Sequence, residues 1–333
     1  MKLLLFAVSL LAAITAASSI NVTMEEWNLF KAKHGKVYSK SEGSVEEKFR
    51  MKIYIQNKAL IDRHNHLANL GHYSYFLKMN QFGDLFHSEV FAGLNGFSSQ
   101  KSGVTFIKPE GFEGPTQVDW RTKGAVTGVK DHGMCGVLGD WAFSATGSLE
   151  GQHFRKTGRL VSLSEQNLLD CSYGKKYLNH GCAYGRVDKA FEYIRDNHGL
   201  DTESSYPFNP NQTRSSEICK FDRASVGASV TGYVDLPKGD EEALAMAVAA
   251  HGPISVAVDS NPLSFLFYSH GIYDDAKCSS ENLTTDMLVV GYGPDYWLVK
   301  NSWSTVWGME GYIKMKRGRN MCGISEMASY PLV

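Results

Sequence analysis

Six cysteines set the tightest limit on what this chain of 333 residues can fold into. Cys135, Cys171, Cys182, Cys219, Cys278 and Cys322 are even in number, so every thiol can be paired in an oxidising compartment. The start of the chain agrees with export. "MKLLLFAVSLLAAITAASS" places Lys2 before an apolar run from Leu3 to Ala13, and small residues suited to cleavage follow near Ala16 or Ala17. A buried N-terminal helix would also be apolar, but the order of charge, apolar run and small residues predicts a signal peptide over 1–17. Metal binding is the competing use of the cysteines. It would call for Cys-x2-Cys or His-x3-His spacing, and neither occurs, so no metal and no cofactor are expected. Asn21, Asn211 and Asn282 each open an Asn-x-Thr triplet, a pattern that fits glycosylation but is common by chance.

Charge narrows the partners. Lys plus Arg number 34 and Asp plus Glu 35, a formal charge of −1 that gives no broad positive field for phosphate backbones, so nucleic acid is not expected. No later stretch reaches the roughly 18 to 20 continuous apolar residues of a membrane helix, and a soluble, monomeric mature product is expected. An apolar content of 43% suffices for one large domain or two smaller units.

Residues from about Met24 to Asn69 are rich in Lys, Glu and Arg, with Trp27, Phe30, Phe49, Ile53 and Ile61 at helical intervals. Within them Glu46, Arg50, Tyr54, Asn57, Ile61 and Asn65 recur at steps of three or four and line one helix face. An ordinary packed helix would show the same spacing. Residues 94–117 carry Gly, Ser and Pro with little periodicity and read as an exposed linker. From Val118 the chain predicts helices over Trp141 to Lys156, over Ser164 to Asp170 with Ser162 and Glu165 spaced as a capping box, and around Val187 to Asn197. Beyond Tyr206, "GPISVAVDS", "DMLVVGYG", "DYWLVKNSW" and "GYIKMKRG" are strand-like runs bounded by Gly, Pro or Asp. A helical half is followed by a β half.

These blocks resemble a papain-family cysteine protease zymogen of the cathepsin L type along essentially the whole chain. The helix face Glu46, Arg50, Tyr54, Asn57, Ile61, Asn65 is similar to the ERFNIN signature of the inhibitory propeptide, with Tyr54 where Phe is usual. "NQFGD" (Asn80 to Asp84), "PTQVDWRTKGAVTGVKDHGMCG", "YWLVKNSW" and "MCGISEMASYPLV" resemble the motifs that follow it. The resemblance implies an α+β, papain-like fold of two subdomains, a helical left half and a β-barrel-like right half flanking a substrate cleft. A helical inhibitory propeptide (18–113) would precede the mature domain (114–333). It also implies three disulfides, Cys135 with Cys182, Cys171 with Cys219, and Cys278 with Cys322. Those pairs use every cysteine, whereas an active member needs a seventh.

The family's nucleophile is a thiolate at a helix N-terminus, its pKa lowered to about 3 to 4 beside a histidine. Its local pattern is Cys-Gly-Ser-Cys-Trp, with two residues between Gly and Trp. Here Gly136 and Trp141 enclose four, and the residue before the Trp is Asp140. Using Cys135 instead would leave Cys182 odd. A carboxylate at a helix start is ordinarily stabilised by the orphan N–H groups there, which gives Asp140 a structural explanation. In "LTTDMLVVGYG" the histidine position holds Thr285, which cannot exchange protons near neutral pH as an imidazole does; His270 lies upstream at a position read as surface. His132 stands where the family's oxyanion-hole glutamine would, and Asn301, the orienting residue, is retained beside Trp303. Gly185 matches the glycine whose backbone pairs with extended substrate, and its neighbour Tyr184 adds bulk at the rim. Val187 and Met327 match the base of the main specificity pocket, though both types also serve as core.

Three functions follow as expectations. The first is a secreted, catalytically inactive homologue whose cleft binds peptides or proteins, with protease inhibitors and related proteases among the candidates. The second is an endopeptidase of the cathepsin L class that retains some proteolysis by unexpected groups. The third makes the propeptide itself, acting on a related protease, the functional part. Extracellular fluid, gut lumen and lysosome all fit the export signal.

Overall fold

The computed structural model describes residues 22–38, 43–91, 103–211 and 218–333. The signal peptide and Asn21 lie outside them. Two helices open the described chain, α1 (Met24–Lys33) and α2 (Val45–Asn69), capped by the hydroxyls of Thr23 and Ser44. Trp27, Phe30 and Tyr54 bury a small aromatic core between them. The predicted face of α2 meets the returning chain. Arg50 donates to the Asp84 carbonyl, Asn57 to the Gly83 carbonyl at 2.9 Å, and Asn65 both donates to and accepts from the backbone of Leu77, at 2.9 and 2.8 Å. Two expectations need correcting. Glu46 is exposed; Glu47, one step round the helix, is the buried acid, bonded to Trp27 and Lys31. Phe49 is also exposed and lies edge-on to Phe86.

The chain continues through β1 (Tyr75–Leu77), a short α3 (His87–Val90), β2 (Val104–Thr105) and β3 (Val118–Asp119). A helical region follows, α4 (Asp140–Thr157), α5 (Glu165–Cys171) and α6 (Val187–Asp196), then a small pair of strands, β4 (Leu200–Asp201) and β5 (Val226–Ala228). The rest is mainly strand: β6 (Gly232–Asp235), α7 (Glu241–His251), β7 (Ile254–Val258), α8 (Leu263–Leu266), β8 (Tyr268–Tyr273), β9 (Thr285–Tyr292), β10 (Tyr296–Lys300), β11 (Tyr312–Lys316) and β12 (Ala328–Leu332). The large sheet runs β1-β8-β11-β10-β9-β7-β12-β6-β2, with β3 against β9. One core gathers around this sheet and another around α4–α6, as the two-subdomain expectation requires. The disulfides Cys135–Cys182, Cys171–Cys219 and Cys278–Cys322 form, and no cysteine remains free.

Two further corrections concern boundaries. The capping residue of α5 is Ser164, whose hydroxyl accepts from the Asn167 amide at 2.9 Å. Ser162 still belongs to extended chain, its carbonyl accepting from Glu203, and Glu165 turns to Lys130 instead. The described part of the linker is also not free. Val104 and Thr105 pair in parallel with β6, and Phe106 is buried with its amide bonded to the Asp235 carbonyl. Its lack of periodicity reflects a single edge strand two residues long.

Both outer edges of the sheet are thus covered by chain that precedes residue 114, β1 on one side and β2 on the other. Unpaired edges are open to misassociation, so these strands also protect the sheet. Replacing Asn65 by Ala removes both bonds to Leu77 and should loosen β1. Urea unfolding of the full-length chain should show a loss of about 1–3 kcal/mol, with faster proteolysis near residues 70–80. Unchanged protease resistance would show that β1 is held without Asn65.

Candidate functional site

Two single-turn helices, Gly133–Cys135 and Val137–Gly139, lead into α4. Gly139 is fixed by the disulfide: a Cβ there would lie 2.3 Å from the Cys135 sulfur. The next residue, Asp140, is the first of α4 and is fully buried. It does not cap the helix. No side chain caps α4, and neither carboxyl oxygen of Asp140 has a hydrogen-bond partner among the described residues. The expected settling of a carboxylate by orphan N–H groups is therefore only partial. Burial pushes its pKa well above the usual carboxylate range and the neighbouring Asp286 carboxyl pushes it further, while the amides of Asp286 and Trp141 offset only part.

Strand β9 brings Asp286 there. β9 pairs with β7 in antiparallel register, Thr285 opposite Val258 and Asp286 opposite Ala257. Successive strand side chains leave on opposite faces, so the two residues part company. The Thr285 hydroxyl bonds to that of Ser260, whose amide donates to Thr284 Oγ1 at 2.9 Å. Asp286 acts on Asp140 instead. Its own pKa is pushed up to about 8, first by burial and then by Asp188, with Arg186 opposing. Arg186 is itself held by Asp188, Nε to Oδ1 at 2.9 Å.

The other predicted residues are held in several different elements. His132 is buried and its amide donates to the Ser302 carbonyl; burial lowers its pKa, and Nε2 has no partner among the described residues. Asn301 accepts from the Ser302 amide at 2.8 Å, but its Nδ2 is unpaired among the described residues, as are Ser302 Oγ and Trp303 Nε1. Ser144, Asp286, Asn301 and Ser302 line part of a cavity of about 20 Å³, room for one water. Gly185 lies against the indole of Trp141, where a Cβ would come within 2.1 Å, so the close approach requires glycine. Val187 is buried in the helical core, and Met327 is half-buried with its carbonyl accepting from Ala257 at 3.0 Å. His270 lies on β8, stacked on Phe76 of β1 with ring centroids 4.7 Å apart. Gln81 reaches the Trp303 carbonyl at 2.8 Å, so the N-terminal helical unit docks beside the site.

Sequence reasoning overlooked Asp286, Arg186 and Asp188. A carboxylate inside "TDMLVVGY" is the one signal that pointed to Asp286, but every residue of β9 is buried, which leaves no alternation to set it apart.

The raised carboxyl pKa values give a pH dependence of stability. A carboxyl that binds its proton more tightly folded than unfolded contributes fully below the unfolded value, about 3.9, and the contribution is lost as pH rises. For Asp286 the loss runs up to about pH 8. Asp286→Asn should therefore be more stable than the parent near pH 8 by about 2–5 kcal/mol and close to it near pH 4. Denaturant unfolding at the two pH values tests this; parallel curves for both proteins would contradict it.

Comparison with known proteins places this geometry. Residues 114–332 match the model of the papain family cysteine proteases, and residues 27–90 that of the cathepsin propeptide inhibitor domain. A cathepsin L-like peptidase of Aedes aegypti is 52% identical over 350 aligned residues covering all of both chains. Cathepsin L1 of Drosophila melanogaster is 49% identical, over 98% of this chain and 89% of its own. Among solved structures, digestive procathepsin L 3 of Tenebrio molitor larval midgut superposes with a TM-score of 0.83 at 41% identity, over 93% of this chain and 98% of its own. The chain belongs to the papain family of cysteine proteases, as a cathepsin L-like zymogen with its inhibitory propeptide.

Proposed function

We propose that the chain is a non-peptidase homologue, a binding protein on a procathepsin L frame. The observation that carries this reading is Asp140 at the head of α4, where the family resemblance assigns the nucleophile, in a chain whose six cysteines are all disulfide-bonded. Thr285, at the position assigned to the general base, commits its hydroxyl to Ser260 and cannot serve as a proton acceptor near neutrality. Asn301 and His132 then have no reacting pair to serve. Losing nucleophile or base from such a unit costs on the order of a millionfold in turnover.

The cleft remains usable for binding. Gly185 would offer backbone to an extended peptide, in the manner of strand addition, and the half-buried Met327 would supply apolar surface. The ligand we assign is a peptide or protein segment, and the chain acts as a monomer without cofactor. Export through the secretory pathway follows from the sequence of residues 1–17, and a lysosomal, extracellular or gut-lumen destination agrees with the disulfides. Asn211 and Asn282 are exposed, and a glycan on Asn282 would stand three residues from Thr285. Removal of residues 18–113 would open the cleft to such ligands.

Turnover of peptide amides with bulky apolar residues, measured on the processed protein at acid and neutral pH, should stay at the level of the buffer. Asp140→Cys alone should restore none, because no base lies ready for the thiol, and Thr285→His alone should restore none either. The double variant should exceed both singles. Thiol-dependent turnover by the unaltered chain would overturn the reading, and turnover that survives thiol blockade would support the endopeptidase with unexpected groups.

A further inference from the structure

Helix α2 faces the C-terminal part of the chain across a cavity of about 890 Å³, and no residue of the site at the head of α4 lines it. Its volume falls within the roughly 300–1,000 Å³ of small-molecule sites. One wall is α2, where Leu60, Arg63 and Leu67 recur at steps of three and four and so share a helix face. A second is Tyr75 and Leu77 of β1, which pairing with β8 joins to the sheet. The third is the chain that leads into α8, with Asp275 and Lys277 following β8. Chain from both sides of residue 114 therefore builds the cavity. Its apolar surface is only partly covered: Leu60, Leu67 and Leu263 are half-buried and Tyr73 is exposed. The polar lining groups divide in two. Asp259 accepts from the amides of Asn261 and Ser279, and Asp275 from the Lys277 amide and the Ser264 hydroxyl. His64 sets Nε2 3.0 Å from the Tyr75 carbonyl oxygen and stacks on Tyr73, ring centroids 4.2 Å apart. The Arg63 guanidinium and the Lys277 ammonium, by contrast, have no acceptor among the described residues. The aspartates offset their charge but offer a ligand no donor; the two cations do.

We propose that this cavity is a binding site for a small amphipathic carboxylate, its apolar chain against Leu60, Leu67, Tyr73 and Leu263 and its carboxylate held by Arg63 and Lys277. The site stands apart from the reading of the cleft and holds whether or not the chain is a peptidase. A guanidinium matches a carboxylate through two parallel N–H groups, and an ammonium adds a third donor, in charge-assisted hydrogen bonds stronger than neutral ones. Burying the chain on the half-covered leucines adds roughly 25 cal/mol per Å² of apolar surface removed from water, so neither half of the ligand suffices alone. A cationic amphiphile would find acceptors already occupied by the donors on Asp259 and Asp275. Because the ligand touches α2, the turn at Tyr73 and the chain beyond β8 together, its binding favours the docked arrangement of the N-terminal unit.

Octanoate tests this on the full-length chain, with 1-octanol carrying the chain alone, acetate the charge alone and n-octylammonium the opposite charge. With leucine methyl groups labelled, NMR at neutral pH should show the resonances of Leu60, Leu67 and Leu263 shifting saturably with octanoate, more weakly with octanol and not at all with acetate. Arg63→Gln and Lys277→Gln, both at exposed positions, should each weaken octanoate by about threefold or more and leave octanol unchanged. Saturating octanoate should also slow proteolysis near residues 70–80. Binding of octanol or octylammonium as tight as that of octanoate, no saturable shift of these leucines, unchanged octanoate affinity in both variants, or unaltered proteolysis at saturation would each overturn the assignment. The comparison of the four probes on the unaltered chain stands even if a variant folds poorly.

Discussion

Helix α4 is buried from Asp140 to Gln152, and each polar group it carries inward must find a partner there. Most do. Ser144 donates to the Met287 carbonyl at 2.7 Å and Ser148 to that of Pro253 at 3.0 Å, while Ser255 returns a bond to the Ser144 carbonyl at 2.9 Å. Thr146 binds Glu165, and Glu150 accepts from Thr127 and from the Leu163 amide. These contacts fasten the helix to β7 and β9 on one side and to α5 on the other. They join the two subdomains. Asp140 at the head of the same helix, with neither carboxyl oxygen bonded, and Gln152 near its end, whose Nε2 is unpaired, are left without partners among the described residues.

The contrast bears on what holds this protease frame together. The head of α4 is positioned by the Cys135–Cys182 bridge, the glycine packed against its sulfur, and the Trp141 indole donating to the Gly181 carbonyl at 3.1 Å. Those contacts stabilise the fold whether or not a thiol stands at residue 140. The N-terminal unit is equally embedded. β1 and β2 close both sheet edges, and Gln81 and Asn80 bond to backbone carbonyls of Trp303 and Leu266.

Much of this was legible in the sequence. Periodicity located α2, α4 and α6, and the β-rich runs located β7, β9, β10 and β11, because each repeats one pattern over several residues. The lining of α2 toward the returning chain followed from spacing, apart from Glu46, since a one-residue rotation about the helix exchanges it with Glu47. Spans fixed by long-range contacts were not legible. Phe106 is held by β6 and the chain at Ser162 by the Glu203 amide, and neither partner is near in sequence. The meeting of Asp140 with Asp286 is of the same kind, a product of β9 crossing the head of α4.

The most direct measurement is the intact mass of the native protein after exposure to a thiol-directed epoxide, the reagent that alkylates an ionised cysteine in an active site. With all six sulfurs in disulfides and a carboxyl at the head of α4, the mass should be unchanged, and so should the count of three disulfides. A single stoichiometric adduct under native conditions, with one disulfide fewer, would mean that a thiolate is available in the cleft and would contradict the assignment of Asp140 to an inert centre.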